Sequence, residues 1–245
     1  MSVRQASPGQ ALLLFDIDGT LLIAGDRGHG RALLDAFREY FQVEPDTTGI
    51  SFAGMLDAQI TRELLRRHNL NHQSTEERIV DIMNRMGELY EQYLGGRSLV
   101  ERLLPGAASA VHAAASVGWT TGTLTGNARR VAELKLAAAG LGHLVEIGAF
   151  GDTAQDRAHL VEAALVSAEA RTGVRYDARQ TVLIGDTPRD IAAARHANAG
   201  VVAVATGRYD PAVLAELEPD AVLDDLSDTD AFILAVENVL HARLG

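Results

Sequence analysis

Two aspartates stand two residues apart in Phe15-Asp16-Ile17-Asp18-Gly19-Thr20, directly after the apolar run Ala11 to Phe15. Carboxylates in a loop at the C-terminal end of a parallel strand sit where open α/β sheets bind ligands. A second acidic loop, Gly185-Asp186-Thr187-Pro188-Arg189-Asp190, follows the apolar Val182-Leu183-Ile184, with Pro188 placed to open a helix. If that helix begins near Pro188, Asp186 and Asp190 face back toward the same loop. Taken singly, each loop also reads as a solvated turn or a helix N-cap. A calcium loop does not fit, because it needs further oxygen ligands at alternating positions and a Glu at the twelfth, whereas Thr20, Leu21 and Leu22 follow here. Four carboxylates gathered at one sheet edge would repel each other strongly without a divalent cation among them. An all-oxygen donor set favours Mg²⁺, which takes one or two carboxylates plus phosphate oxygens, so phosphate is the expected guest.

Phosphate in turn asks for donors and a fixed cation. Leu124-Thr125-Gly126-Asn127 closes another core strand with a hydroxyl, a glycine and an amide before a helix, which suits a phosphate cradle and equally suits helix capping. Candidates for the cation are Arg157 and Lys135, with Arg129 and Arg130 behind them. Arg157 follows Gly151-Asp152 at the expected sheet edge, whereas Lys135 lies two turns into a helix, where solvent is the usual surrounding. Arg157 is therefore preferred.

The elements that would position these residues alternate. Short apolar runs at Ala11 to Phe15, Trp119 to Leu124, Val145 to Phe150, Thr181 to Ile184 and Val201 to Ala205, with a weaker one at Ala221 to Leu223, predict strands buried on both faces. Helical segments at Ala107 to Val117, Ala128 to Ala139, Asp156 to Arg171, Arg189 to Ala197 and Asp230 to Leu244 separate most of them. The expected fold class is α/β, a doubly wound, mainly parallel sheet. The stretch from 23 to 97 breaks the alternation. It predicts helices at Arg31 to Phe41, Leu56 to His68 and Thr75 to Tyr93, the last capped by Ser74 or Thr75, so an all-helical subdomain (23–97) interrupts a core formed by 1–22 and 98–245. Glycines at Ala24 to Gly30 and at Gly95-Gly96 mark its two crossings. The stripe Ile79, Ile82, Met83, Met86, Leu89, Tyr90 and Tyr93 predicts a packed helix face. Trp119 is expected in the core.

Composition narrows the partners. The 245 residues are 47% hydrophobic and 22% charged, as folded globular chains are. A net charge of −11 disfavours nucleic acid, and the absence of cysteine excludes disulfides, thiolate metal sites and a Cys nucleophile while suiting a reducing cytoplasm. No apolar stretch approaches a membrane span, and Arg4 with the short run after it predicts no export signal.

Asp16-Ile-Asp-Gly-Thr20, Thr125-Gly-Asn127 and Gly185-Asp-Thr-Pro-Arg-Asp190, in this order, resemble motifs I, II and IV of the haloacid dehalogenase superfamily of phosphohydrolases. The helical stretch after the first motif resembles the C1 cap of its phosphoglycolate phosphatase and β-phosphoglucomutase branch. The resemblance implies a HAD-like core with a helical cap and a Mg²⁺-dependent phosphatase acting on a small phosphorylated metabolite. It implies that Asp16 is the nucleophile that forms an aspartyl-phosphate and that Asp18 is the acid and base. Asp16, the backbone carbonyl of Asp18 and Asp186 would hold Mg²⁺, with Asp190 in support or orienting Arg157, and Gly19, Thr20, Thr125, Gly126 and Asn127 would bind phosphate. Where the branch commonly carries Lys-Pro, this chain has Asp156-Arg157, so Arg157 would supply the third motif's charge, though not as a compact ammonium. Dehalogenation needs no metal and would leave the acidic set unexplained, and phosphonate cleavage is disfavoured because Leu22 to Arg97 contains no lysine. A phosphomutase and, from another class, a phosphoacceptor switch without turnover are the alternatives; a general acid and a lid argue against the switch. Arg27, His29, Arg31 and Asp57 are candidates to recognise the leaving group, each of them expected first to be an ordinary surface or capping residue.

Overall fold

The computed structural model describes residues 4–7, 9–70, 75–152, 154 and 156–244. The chain runs β1 (Arg4–Gln5), β2 (Leu12–Phe15), α1 (Arg27–Phe41), α2 (Asp57–Arg67), α3 (Thr75–Leu94) and α4 (Ala107–Val117). It continues through β3 (Thr120–Leu124), α5 (Arg129–Ala138), β4 (Gly148–Ala149), α6 (Ala158–Thr172), β5 (Val174–Arg175) and β6 (Thr181–Gly185). The last elements are α7 (Pro188–His196), β7 (Gly200–Val204), α8 (Pro211–Ala215), β8 (Ala221–Leu223) and α9 (Thr229–Leu244). Six strands form one parallel sheet in the order β4-β3-β2-β6-β7-β8, and β1 pairs separately with β5. This is the α/β, mainly parallel architecture expected from the strand and helix alternation. Among the described residues no helix is long and apolar enough to cross a membrane.

The sheet strands are apolar without interruption because helices cover both faces. Leu13, Phe15, Val182, Ile184, Val202 and Val204 pack into one layer, and Leu12, Leu14, Leu183, Val201 and Ala203 into the other. The chain leaves β2 toward β3 and β4 on one side and returns to β6, β7 and β8 on the other. Adjacent strands β2 and β6 thus form the switch point, where open α/β sheets leave a crevice beyond the strand ends. Their register sets Phe15 against Ile184, and the amide of Asp16 donates to the carbonyl of Ile184 at 2.9 Å. Asp16 and Asp186 therefore leave the sheet side by side.

Helices α1, α2 and α3 occupy most of the stretch between β2 and α4, and their apolar faces (Leu33, Phe37, Leu64, Ile82, Met86) continue the layer that holds Phe15. Their attachment to the strand loops is direct: the Asp57 amide donates to the Gly126 carbonyl at 2.8 Å and the Ala58 amide to the Gly151 carbonyl at 2.9 Å. A side chain at Gly126 would collide with the carbonyl of Met55, so this contact requires a glycine.

Three local expectations change. The run Val145 to Phe150 is not one strand: a 3-10 turn takes Gly142–Glu146, and only Gly148–Ala149 pairs, at the sheet edge, with Thr123 and Leu124. Gly28 and Gly30 lie inside α1 rather than in a flexible crossing, because Asp26 caps that helix, its carboxylate accepting from the Gly28 amide at 2.8 Å. The second crossing, Gly95-Gly96, is a turn with both glycines at positive φ. Of the two N-cap candidates for α3, Ser74 lies outside the described residues and Thr75 is the first helical residue. Trp119 is buried, as expected.

Phe15 is fully buried against Phe232, with ring centroids 6.1 Å apart, and it carries Asp16 at its C-terminal side. Phe15→Ala is expected to cost about 3–5 kcal/mol in urea unfolding, whereas Val166→Ala, at a 70% exposed position, stays within about 0.5 kcal/mol.

Candidate active site

The tips of β2 and β6 bring Asp16, Asp186 and Asp190 together, each buried, with one carboxylate oxygen from each within 4.8 Å of the others. Asp16 turns its Oδ1 onto its own loop, accepting from the Ile17 amide at 2.8 Å, and its Oδ2 toward Nη2 of Arg157 at 2.9 Å. The same guanidinium nitrogen reaches Asp190 Oδ1 at 2.6 Å. Asp190 also closes the first turn of α7, its Oδ2 accepting from the amide of Thr187 at 3.0 Å and its hydroxyl at 2.6 Å. Asp190 thus divides its carboxylate oxygens, Oδ2 serving the helix start and Oδ1 the guanidinium of Arg157. Among the described residues Asp186 has one weak hydrogen-bond partner, the Thr20 hydroxyl at 3.3 Å. Its carboxylate is boxed in from behind: side chains at Gly19 and at Gly207 would both collide with it, and Gly19 has φ +95°, which glycine adopts without strain.

Asp18 points away from this cluster. Its carboxylate receives the ammonium of Lys135 at 2.8 and 2.6 Å and the Asn127 amide nitrogen at 2.8 Å. Lys135 also meets Asn127 Oδ1 at 2.8 Å and His29 Nδ1 at 3.2 Å. His29 Nε2 lies 3.0 Å from Asp57 Oδ2, which further accepts from the Ala128 amide at 2.7 Å. Asp57 therefore serves α5, whose N-cap residue, Ala128, offers no side-chain oxygen. Thr125 does not cap α5 either; its hydroxyl accepts from the amide nitrogen of the Asn127 side chain at 2.7 Å.

These surroundings push the acids apart. Burial raises Asp16 to about 6, Arg157 offsetting part of the effect and Asp190 adding to it. Burial raises Asp186 to about 8, reinforced by the carboxylates of Asp16 and Asp190. Burial would lift Asp18 as well, but the charges of Lys135 and His29 and the hydrogen bonds of Lys135 and Asn127 outweigh it and hold that carboxyl below its ordinary range. Arg157 is raised despite its burial by Asp16 and Asp190.

Sequence reasoning misplaced Lys135. Rather than facing solvent it is 1% exposed, on the α5 face shared by Val131, Ala132 and Leu136. Two signals for this were present: its place on that three-and-four apolar stripe, and its being the sole lysine of a chain whose 21 other basic side chains are arginine. His29 and Asp57 are likewise not ordinary surface residues, since they line the cavity in contact with each other. Arg27 and Arg31 do not line it; Arg31 pairs on the surface with Asp35. Arg129 and Arg130 have exposed side chains, Arg129 over the ring of Phe150 and Arg130 beside Glu91.

A cavity of about 500 Å³ opens over both clusters, reached by Asp16, Asp18, Asp186, Thr125, Asn127 and Arg157 from the sheet side. Nε of Arg157 is buried with no hydrogen-bond partner among the described residues. Fully ionised, the three clustered carboxylates and the guanidinium would carry −3 and +1, leaving −2 without a counter-charge. Hard oxygen donors, two of them held as proton-binding acids, suit a small divalent cation. The side chain of Asp18 does not belong to this donor set.

A sequence profile of the haloacid dehalogenase-like hydrolase family matches residues 11–198. A phosphoglycolate phosphatase from Cupriavidus necator is 27% identical over 224 residues, covering 90% of this chain and 92% of that protein. The solved structure of β-phosphoglucomutase from Clostridium difficile superposes with a TM-score of 0.66 at 18% identity, over 94% of this chain and 98% of that one. A predicted phosphoglycolate phosphatase from Haemophilus somnus gives 0.56 at 19%, over 92% and 98%. The two structural likenesses establish the fold.

A cation entering this cluster must displace the proton that Asp186 holds. Calorimetry with Mn²⁺ at pH 7 in buffers of different ionisation enthalpy is expected to show release of about one proton per ion, with affinity rising about tenfold per pH unit from roughly 6 to 8. Asp186→Asn should abolish the release. Because native Asp186 keeps a proton that the unfolded chain gives up above about pH 4, the cation-free fold should lose stability as pH rises toward 8.

Proposed function

The chain belongs to the haloacid dehalogenase-like hydrolase family, and on that premise we propose that it is a phosphatase of the phosphoglycolate phosphatase kind, hydrolysing a small phosphorylated metabolite with Mg²⁺. The observation that carries this reading is the meeting of Asp16 and Asp186 from adjacent strand tips, with Asp18 and Arg157 facing the same cavity. Asp16, Asp186 and the backbone carbonyl of Asp18 would hold the cation, with Asp190 beside them, and it would supply the positive charge that the buried carboxylates and a phosphoryl group lack. The all-oxygen donors fit Mg²⁺.

In this reading Asp16 attacks phosphorus in line. The bond from phosphorus to the alcohol oxygen breaks, and the group is carried as an acyl phosphate on Asp16. Arg157 holds the nucleophile through Nη2 and brings its positive charge to the wall of the cavity a phosphoryl group would enter. Thr125 and Asn127, with the loop amide at Gly126, complete the cradle; the expected amides of Gly19 and Thr20 do not join it, because they donate to the carbonyls of Leu22 at 2.7 Å and Ile17 at 3.4 Å within their own turn. In the second half a water adds to phosphorus, gives its proton to Asp18 and releases inorganic phosphate, restoring Asp16. The observed setting of Asp18, held ionised by Lys135 and Asn127, suits this accepting role. Donating to the leaving oxygen in the first half requires Asp18 to quit Lys135 and carry a proton, so one side chain needs two settings. Residues 23–97 act as a cap over the cavity in this account, with α2 anchored on the Gly126 and Gly151 carbonyls. Closure would exclude water from the acyl phosphate.

A panel of phosphomonoesters with Mg²⁺, read as phosphate release, tests the reading. Asp16→Asn is expected to lower kcat at least about a thousandfold, and EDTA to stop turnover; activity of ordinary size after chelation would contradict it. Isomerisation of a sugar phosphate without free phosphate would replace it with the mutase. Lys135→Met leaves Asp18 buried without its main cation, so its carboxyl rises and the acid limb of the kcat profile should move to higher pH.

A further inference from the structure

The cavity has two unlike walls. On the sheet side stand the acids, Arg157 and the cradle. The opposite wall, contributed by residues 24–60, is lined by Leu33, Leu34, Ile50, Phe52, Met55 and Ile60. The acidic and imidazole side chains on that wall are spoken for. Asp26 accepts from the Tyr90 hydroxyl at 2.6 Å and the Gly28 amide at 2.8 Å, while Asp57 and His29 hold each other, the Ala128 amide and Lys135. A carboxylate placed against this wall would face Asp26 and Asp57, with Arg208 as its one counter-charge beside that wall among the described lining residues. Arg208, the other cation lining the cavity, is exposed, with its Nη1 3.4 Å from the Ser51 hydroxyl. A polyol would leave hydroxyls against leucine and isoleucine, at the cost of unpaired polar groups. The volume, about 500 Å³, is that of sites for drug-sized ligands and far exceeds a two-carbon acid.

We infer that the leaving group accepted here is an uncharged alcohol with an apolar body, extending from the phosphoryl site along the wall formed by Leu33, Leu34, Ile50, Phe52, Met55 and Ile60. This rests on the phosphatase reading above and narrows it from a small phosphorylated metabolite to the monophosphate ester of an apolar alcohol.

The test is a homologous series, methyl, butyl and hexyl phosphate, with phosphoglycolate and glucose 6-phosphate as polar comparisons, each assayed with Mg²⁺ for phosphate release. Burial of each methylene should raise kcat/KM about fourfold until the wall is filled, and hexyl phosphate should exceed both polar esters. Phe52 is 43% exposed, so its replacement does not endanger the core. Phe52→Ser is expected to lower the hexyl-to-methyl ratio of kcat/KM about tenfold, as loss of apolar contact from a pocket does. A flat series, or phosphoglycolate preferred tenfold or more over hexyl phosphate with that preference lost in Arg208→Gln, overturns the inference while leaving a phosphatase. If none of the five esters releases phosphate, the phosphatase reading fails with it.

Discussion

Three carboxylates cannot share one buried corner of a protein as three anions. Asp16, Asp186 and Asp190 occupy such a corner with a single guanidinium among them, and the rest of the molecule is arranged around that fact. Parallel pairing of β2 with β6 forces the proximity. Gly19 and Gly207 close the space behind Asp186, and the first turn of α7 fixes Asp190, so none of the three can turn away without breaking a hydrogen bond or meeting backbone. The remaining escape is chemical, by binding protons or a divalent cation. Asp16 at about 6 and Asp186 at about 8 are the measure of how far the cluster leans toward it.

A second charged cluster lies alongside and leans the other way. Asp18, two residues from Asp16, is drawn out of the first cluster by Lys135 and Asn127, with His29 and Asp57 behind them. The two neighbouring carboxylates therefore shift in opposite directions, Asp16 up and Asp18 down. Lys135 suits this place because a compact ammonium can meet Asp18, Asn127 and His29 at once, whereas a planar fork is built for paired contacts. Arg157 has the opposite task. Its Nη2 spans Asp16 and Asp190, which a flat, extended guanidinium does well.

The acidic loops, the parallel sheet and the helical interruption were legible in the sequence because each rests on a local rule: apolar runs buried on two faces, carboxylates at strand ends, a proline opening α7. The strand expected over Val145 to Phe150 was not, since an edge segment needs fewer partners and part of it relaxes into a 3-10 turn. Lys135 was misread because a single charge in a helix was weighed by residue type rather than by its apolar stripe. His29 and Asp57 were beyond local reading. Their contact joins α1 to the first turn of α2, and their link to Ala128 joins both to α5, a meeting that exists only once the helical stretch has docked on the strand loops. Likewise the separation of Asp18 from the other acids depends on a lysine 117 positions away.

The central claim, that the tips of β2 and β6 hold one divalent cation between Asp16 and Asp186, is tested most directly by anomalous diffraction from crystals grown with Mn²⁺. The account predicts a single strong peak within coordination distance of a carboxylate oxygen from each of these two residues and of the Asp18 carbonyl, with Arg157 still on Asp190. Crystals soaked to saturation that show no peak there, or a peak held by Asp18 and Asp57 instead, would contradict it.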